Sequence, residues 1–235
     1  HLNEVGGLQK FSTQELVNLL SAFAKMRIRH PELLEKISGY WLKNPQVISR
    51  MEAVDLLFAS SSFARLQFPS RDVFALMAET ISKKQRKVSP KQAIYLMQSF
   101  AQVQCGDLGL TDTLAPLLRQ AFEDPGRQGP STSDWVVALG ALSADGDSHT
   151  SEVVSLCEAI IDNCDFGRLS TLDVAQLLRA LSRLPLLRAP QAAETLAWHV
   201  LEEQQGFATP DLLVAIHSAI SLHCDRPGSG ISESL

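Results

Sequence analysis

Three cations (Lys25, Arg65, Lys91), three carboxamides (Asn18, Gln98, Gln102) and two rings (Phe58, Tyr95) stand at set distances from Phe23, Phe63 and Phe100. Each lies nine, five or two residues before one of these phenylalanines, or two after it. Ammonium and guanidinium groups meet phosphates, carboxamides bond base edges, and an aromatic ring stacks on an unpaired base; these are the ordinary means of holding single-stranded RNA. Arg27 and Arg29 follow the first segment, and Lys83-Lys84-Gln85-Arg86-Lys87 adds a basic run. That run has two readings, and Arg27 and Arg29 share them. It can contact phosphate, or it can end a helix, where cations suit the carbonyl end and are simply solvated. Phe58 and Tyr95 are equally two-sided, because a helix face turned from its own anchor can pack on the next hairpin and become core.

What must position these residues is a repeat. Leu19 to Met26, with Ser21-Ala22-Phe23-Ala24 inside it, recurs as Ala59 to Leu66 and Leu96 to Val103, and more loosely as Ala138 to Asp145, Leu177 to Leu184 and Ile216 to His223. The central anchors are Phe23, Phe63, Phe100, Leu142, Leu181 and Ile220, spaced 40, 37, 42, 39 and 39 residues apart. A period near 40 that drifts by a few residues points to helical hairpins joined by variable loops. Apolar residues seven, four and three before the anchor (Leu16, Leu19 and Leu20; Val174, Leu177 and Leu178) make the stripe of an amphipathic A helix. Small residues flank every anchor and let neighbouring helices approach. At 100° per residue, the chemistry-bearing positions fall opposite that stripe.

Helix starts are regular too. Ser12, Ser89, Ser131, Ser170 and Thr209 stand eleven before their anchors as N-caps; Ser12 with Glu15 and Ser89 with Gln92 fit a capping box, while Asp134 and Asp173 suit the positive end of the helix dipole. Glu52 breaks the pattern in the second copy, and Leu212 stands where an acid is expected in the sixth. B helices are expected over about 31–43, 71–85, 112–123, 151–163 and 190–204, with a turn-rich connection over 124–133. The expected architecture is all-α, an alpha-alpha superhelix (solenoid) of about five hairpins plus a sixth A helix. It forms one array over 1–223, with repeats at about 12–49, 50–88, 89–130, 131–169, 170–208 and 209–223 and a flexible tail over 224–235.

The stretch Phe11-Ser12-Thr13-Gln14-Glu15-Leu16-Val17-Asn18-Leu19-Leu20-Ser21-Ala22-Phe23-Ala24-Lys25-Met26 resembles the A helix of heptatricopeptide and octatricopeptide repeats, the organellar helical hairpins of proteins that often end in a RAP domain. The resemblance runs over about 12–223, strongest in the first and third copies; no RAP domain is visible. It implies location in mitochondria, specifically the matrix, or in plastids, and work on organellar RNA, including building the mitochondrial ribosome.

Charge divides the chain. Residues 1–100 hold 14 Lys/Arg against 8 Asp/Glu and residues 101–235 hold 7 against 18, so a basic first half lies within a total of −5. RNA is the expected partner of the first half and other protein subunits of the second. In the fourth and sixth copies the face used above carries Val137, Gly140, Ala144, Ala215 and Leu222, which suits protein contact; Arg179 and Arg183 in the fifth are the exception. The competing class is a protein-binding solenoid without RNA contact, which the pI near 5.7 favours. Catalysis finds no support: there is no phosphate-cradling glycine loop, no H-E-x-x-H and no G-x-S-x-G, and the six histidines are scattered. His217 and His223 read as covered core-stripe residues, and Asp145-Gly146-Asp147 as a turn. Cys105, Cys157, Cys164 and Cys224 form no C-x-x-C pair, so neither a zinc site nor a disulfide scaffold is expected, and no cofactor. No run approaches the roughly 18 apolar residues of a membrane span, so no membrane insertion is expected. The chain opens on His1, which is not read as a translational start.

Overall fold

The computed structural model describes residues 7–124, 129–145, 151–162, 169–184 and Leu196. Among these the chain is all-helical, with ten α-helices and no strand: α1 (Thr13–Met26), α2 (Pro31–Lys43), α3 (Pro45–Arg50), α4 (Ala53–Arg65), α5 (Arg71–Lys83), α6 (Pro90–Gln102), α7 (Leu110–Glu123), α8 (Thr132–Leu142), α9 (Ser151–Asp162) and α10 (Thr171–Leu181). The expected A helices are α1, α4, α6, α8 and α10. The B helices are α2, α5, α7 and α9, and α3 is an extra turn, opened by Pro45 at its first position. The sixth copy (Thr209, Leu212, Ala215, His217, Ile220, Leu222, His223), most of the B helix over 190–204, the tail, Gly146, Asp147, Cys164 and Cys224 lie outside the described residues.

Two compact units divide the chain, His1–Gln120 and Ala121–Leu235. In the first, α4 packs on both α1 and α6, so three A helices lie side by side. Their anchors are linked by rings from the B layer. Phe74 of α5 meets Phe63 at 6.4 Å and Phe100 at 4.8 Å, both edge-on, and Trp41 of α2 meets Phe63 at 5.7 Å. All four side chains are fully buried. Burying each contributes about 1.5–3 kcal/mol, which fixes the spacing of the A helices. Phe23 departs from the expected anchor role: it is only half-buried and Ala22 beside it is exposed, whereas Phe63, Phe100, Ser62 and Ser99 are buried. The physical reason is the position of α1, which meets α4 along one flank, with Ser21 and Ser62 hydroxyls 3.3 Å apart.

In the second unit α8 packs on α10 and α9 on α8, around Leu139, Leu142, Ile160, Leu177, Leu178 and Leu181. Here the aspartates exceed the dipole role expected of them. Ser131 N–H donates to Asp134 Oδ2 at 2.9 Å and Ser170 N–H to Asp173 Oδ2 at 3.2 Å, while each aspartate's own N–H donates back to the serine hydroxyl. Both carboxylates are buried and therefore need such partners. Ser133 Oγ adds a bond to Asp173 Oδ2 at 3.0 Å, tying the start of α8 to the start of α10. Glu52 keeps half of the pattern it was expected to break, its N–H donating to Asp55 Oδ2 at 3.2 Å. Cys105 and Cys157 are buried free thiols, and burial pushes the Cys157 thiol up to about 12.

Candidate nucleic-acid interface

The first unit's A helices start and stop by the same local rules, and that places their side chains. Ser12 and Ser89 close full capping boxes with Glu15 and Gln92. At the other end, Ile28 N–H donates to Phe23 O at 3.0 Å and Arg27 N–H to Ala24 O at 3.2 Å. The same pair recurs as Phe68 to Phe63 (3.0 Å) with Gln67 to Ala64 (3.0 Å), and as Cys105 to Phe100 (2.9 Å) with Gln104 to Ala101 (3.1 Å). These are Schellman caps, which require a left-handed residue four after the anchor. Glycine usually fills it, but here it is Arg27, Gln67 and Gln104, at φ 55, 51 and 58.

The face opposite the core stripe is open. Asn18, Lys25, Phe58, Arg65, Lys91 and Gln102 are exposed, and Tyr95 and Gln98 are half-buried. Phe58 is 48% exposed, which settles its alternative reading as core. Asn18 accepts from Gln14 Nε2 at 3.1 Å. In the second unit the corresponding face holds half-buried Val137 and Gly140, exposed Ala144 and Leu172, and exposed Arg179 and Arg183.

Four of the sequence-nominated cations converge. Lys25, Arg27, Arg29 and Arg65 line one cleft of about 500 Å³ with Ala24, Leu66 and Gln67, at the C-terminal ends of α1 and α4, and no carboxylate is among its described lining residues. All four are exposed, and among the described residues none takes part in an ion pair or a side-chain hydrogen bond. The carbonyl ends of two helices offset part of their mutual repulsion, and an anion would offset the rest.

The basic run does not join them. It sits at the other end of α4, about 18 Å away by helical rise, where Lys84 Nζ donates to Met51 O at 2.6 Å and approaches Glu52 Oε1 at 3.9 Å. Lys87 approaches Glu52 Oε2 at 3.8 Å, and Lys83 pairs with Glu79 at 2.6 Å within α5. Arg86 is exposed beside them. Arg71 is also neutralised, forming a two-pronged pair with Asp107, and this hydrogen-bonded guanidinium holds the Asp107 carboxyl below its ordinary value.

Gln67 and Gln104 were missed from sequence. Their signal was present in the recurrence Phe23-Ala-Lys-Met-Arg27, Phe63-Ala-Arg-Leu-Gln67 and Phe100-Ala-Gln-Val-Gln104, where polar residues repeat two and four after the anchor. Among the described residues no His/Cys/Asp/Glu group could hold a metal ion, and no helix is long and apolar enough to cross a membrane. No known family's model matches the chain, and no curated protein matches it.

Proposed function

We propose that this chain is a non-catalytic, RNA-associated helical-repeat scaffold whose basic first unit touches RNA phosphates and whose acidic second half docks on protein. The setting the repeat resemblance suggests is a mitochondrial ribonucleoprotein such as the mitochondrial ribosome. One observation carries the reading: Lys25, Arg27, Arg29 and Arg65 are gathered in one cleft with no carboxylate among its described lining residues. Cations that serve only solubility gain nothing from converging, and elsewhere in the same unit Lys83, Lys84, Lys87 and Arg71 have acidic partners. Phe58 adds a ring on the middle helix on which a base can stack.

A protein-only scaffold is the second reading, supported by the exposed apolar side chains Val54, Phe58 and Leu172 on the A-helix faces. Ultraviolet crosslinking in the native organelle, with sequencing of bound RNA and mapping of the modified peptides, separates the two. Crosslinked peptides between residues 14 and 104 are expected. A chain that co-purifies with a large assembly yet yields no RNA crosslink would reject the RNA reading in favour of the protein scaffold.

A further inference from the structure

The left-handed residues at the ends of α1, α4 and α6 carry a cost with no return inside the fold. Arg27, Gln67 and Gln104 adopt φ 55, 51 and 58, a region that a side chain with a Cβ enters reluctantly and glycine enters freely. The Schellman cap they close uses backbone atoms alone, so glycine would close it as well. Their side chains are exposed and make no hydrogen bond or ion pair among the described residues. Packing does not need them, polar satisfaction does not need them, and the backbone would relax without them. A ligand outside the chain does account for them, since strained residues persist where their side chains have a task.

Their placement defines that ligand. Arg27 and Gln67 line the same cleft although they close successive A helices, and Lys25, Arg29 and Arg65 surround them. Gln104 closes α6, which packs on the other flank of α4, so the series continues by one side chain per repeat along one edge. We infer that this C-terminal edge, more than the broad A-helix face, is a track for the sugar-phosphate backbone of single-stranded RNA. Arg27 and its neighbouring cations hold phosphates, and Gln67 and Gln104 donate to phosphate oxygens or base edges one repeat at a time. The inference rests on the RNA reading above. An acidic peptide fits the edge less well, because two of its three repeating positions are neutral carboxamides and the exposed Phe58 ring stands on the middle helix.

The test uses glycine as the replacement that suits the backbone and removes the ligand group. Fluorescence anisotropy of a labelled single-stranded oligouridine at low salt would be measured with the full chain and with Arg27→Gly, Gln67→Gly, Gln104→Gly and the triple variant, alongside thermal unfolding of each. The triple variant is expected to bind at least tenfold more weakly while its melting temperature is equal or higher. Arg27→Gly should also reduce the slope of log affinity against log salt by about 0.7, the value of one phosphate contact to a single strand. Gln67→Gly and Gln104→Gly should leave that slope unchanged. If all glycine variants bind as the parent does while Phe58→Ala or Lys91→Ala weakens binding, the edge is overturned and the RNA reading stands. If the glycine variants melt earlier in proportion to their lost affinity, the residues serve the fold and the inference fails. If the parent binds oligoglutamate but no oligouridine, both this inference and the RNA reading fall.

Discussion

The two ends of α4 carry the same kind of side chain and opposite arrangements of charge. At its start, Lys84 and Lys87 converge on Glu52, and Lys84 is spent on the Met51 carbonyl. At its finish, Arg65 joins Lys25, Arg27 and Arg29 with no acid among the residues lining the cleft. A helix start repels cations and a helix finish attracts them. The cations at the start need a carboxylate to be tolerated; those at the finish are tolerated by the helix and remain available. A count of basic residues treats the two groups alike, whereas Lys84 and Lys87 already meet Glu52 and the four cations of the cleft meet no acid among the described residues.

The largest effect is expected from the buried ring beside the finish of α4. Phe63→Ala deletes a fully buried side chain packed on Trp41, Phe68 and Phe74, and should cost about 3–5 kcal/mol, as buried aromatic truncations do. Chemical denaturation should show it, and RNA binding should then fail through unfolding. Charge reversal separates the ends without unfolding either, since exposed substitutions cost about 0.5 kcal/mol or less. Reversing Lys25, Arg27, Arg29 and Arg65 should abolish RNA association, whereas neutralising Lys83 and Lys87 should weaken it by no more than about threefold, because each already has an acidic partner. Equal losses from the two sets would erase the contrast.

Glu52→Gln should make the start of α4 resemble its finish. Releasing Lys87, while Lys84 stays on the Met51 carbonyl, is expected to raise RNA affinity by about twofold and steepen its salt dependence, with little change in stability, because Glu52 is exposed and its pairs are long. The smallest effect is on pH. Arg71 holds the Asp107 carboxyl below its ordinary 3.8, and the Ser12 N–H, then its hydroxyl, hold the Glu15 carboxyl below 4.5. Folded values below unfolded ones mean that these contributions are present above the ordinary values and are lost as pH falls through the depressed ones. Unfolding followed across that acid range should show stability dropping below about pH 4.5. Asp107→Asn and Glu15→Gln should each flatten the curve, and an unchanged curve would deny those two partnerships.

Sequence by itself determined what depends on near neighbours. Ser12, Ser89, Ser131 and Ser170 start helices because a cap is settled within three residues, and the anchor stripe shows because helical period is a local property. Asp134 closes its box with a carboxylate shorter than that of glutamate, so the sequence shows its charge at the helix start and only the structure shows its bond to the Ser131 N–H. Half-burial of Phe23 was invisible, because covering an anchor depends on a neighbouring hairpin about 40 residues away in sequence. Tertiary structure alone decided that Lys84, Lys87 and Arg71 are neutralised, while Lys83 meets Glu79 one turn away on its own helix. Glu52 meets Lys84 and Lys87 from the preceding A helix, and Arg27 and Arg65 of successive repeats line one cleft, so no local pattern distinguishes Lys84 and Lys87 from the cations of the cleft. It also decided that Phe58 faces outward and that Arg27, Gln67 and Gln104 turn left-handed. Those outcomes follow from how A helices stack, and stacking brings together residues that the chain holds far apart.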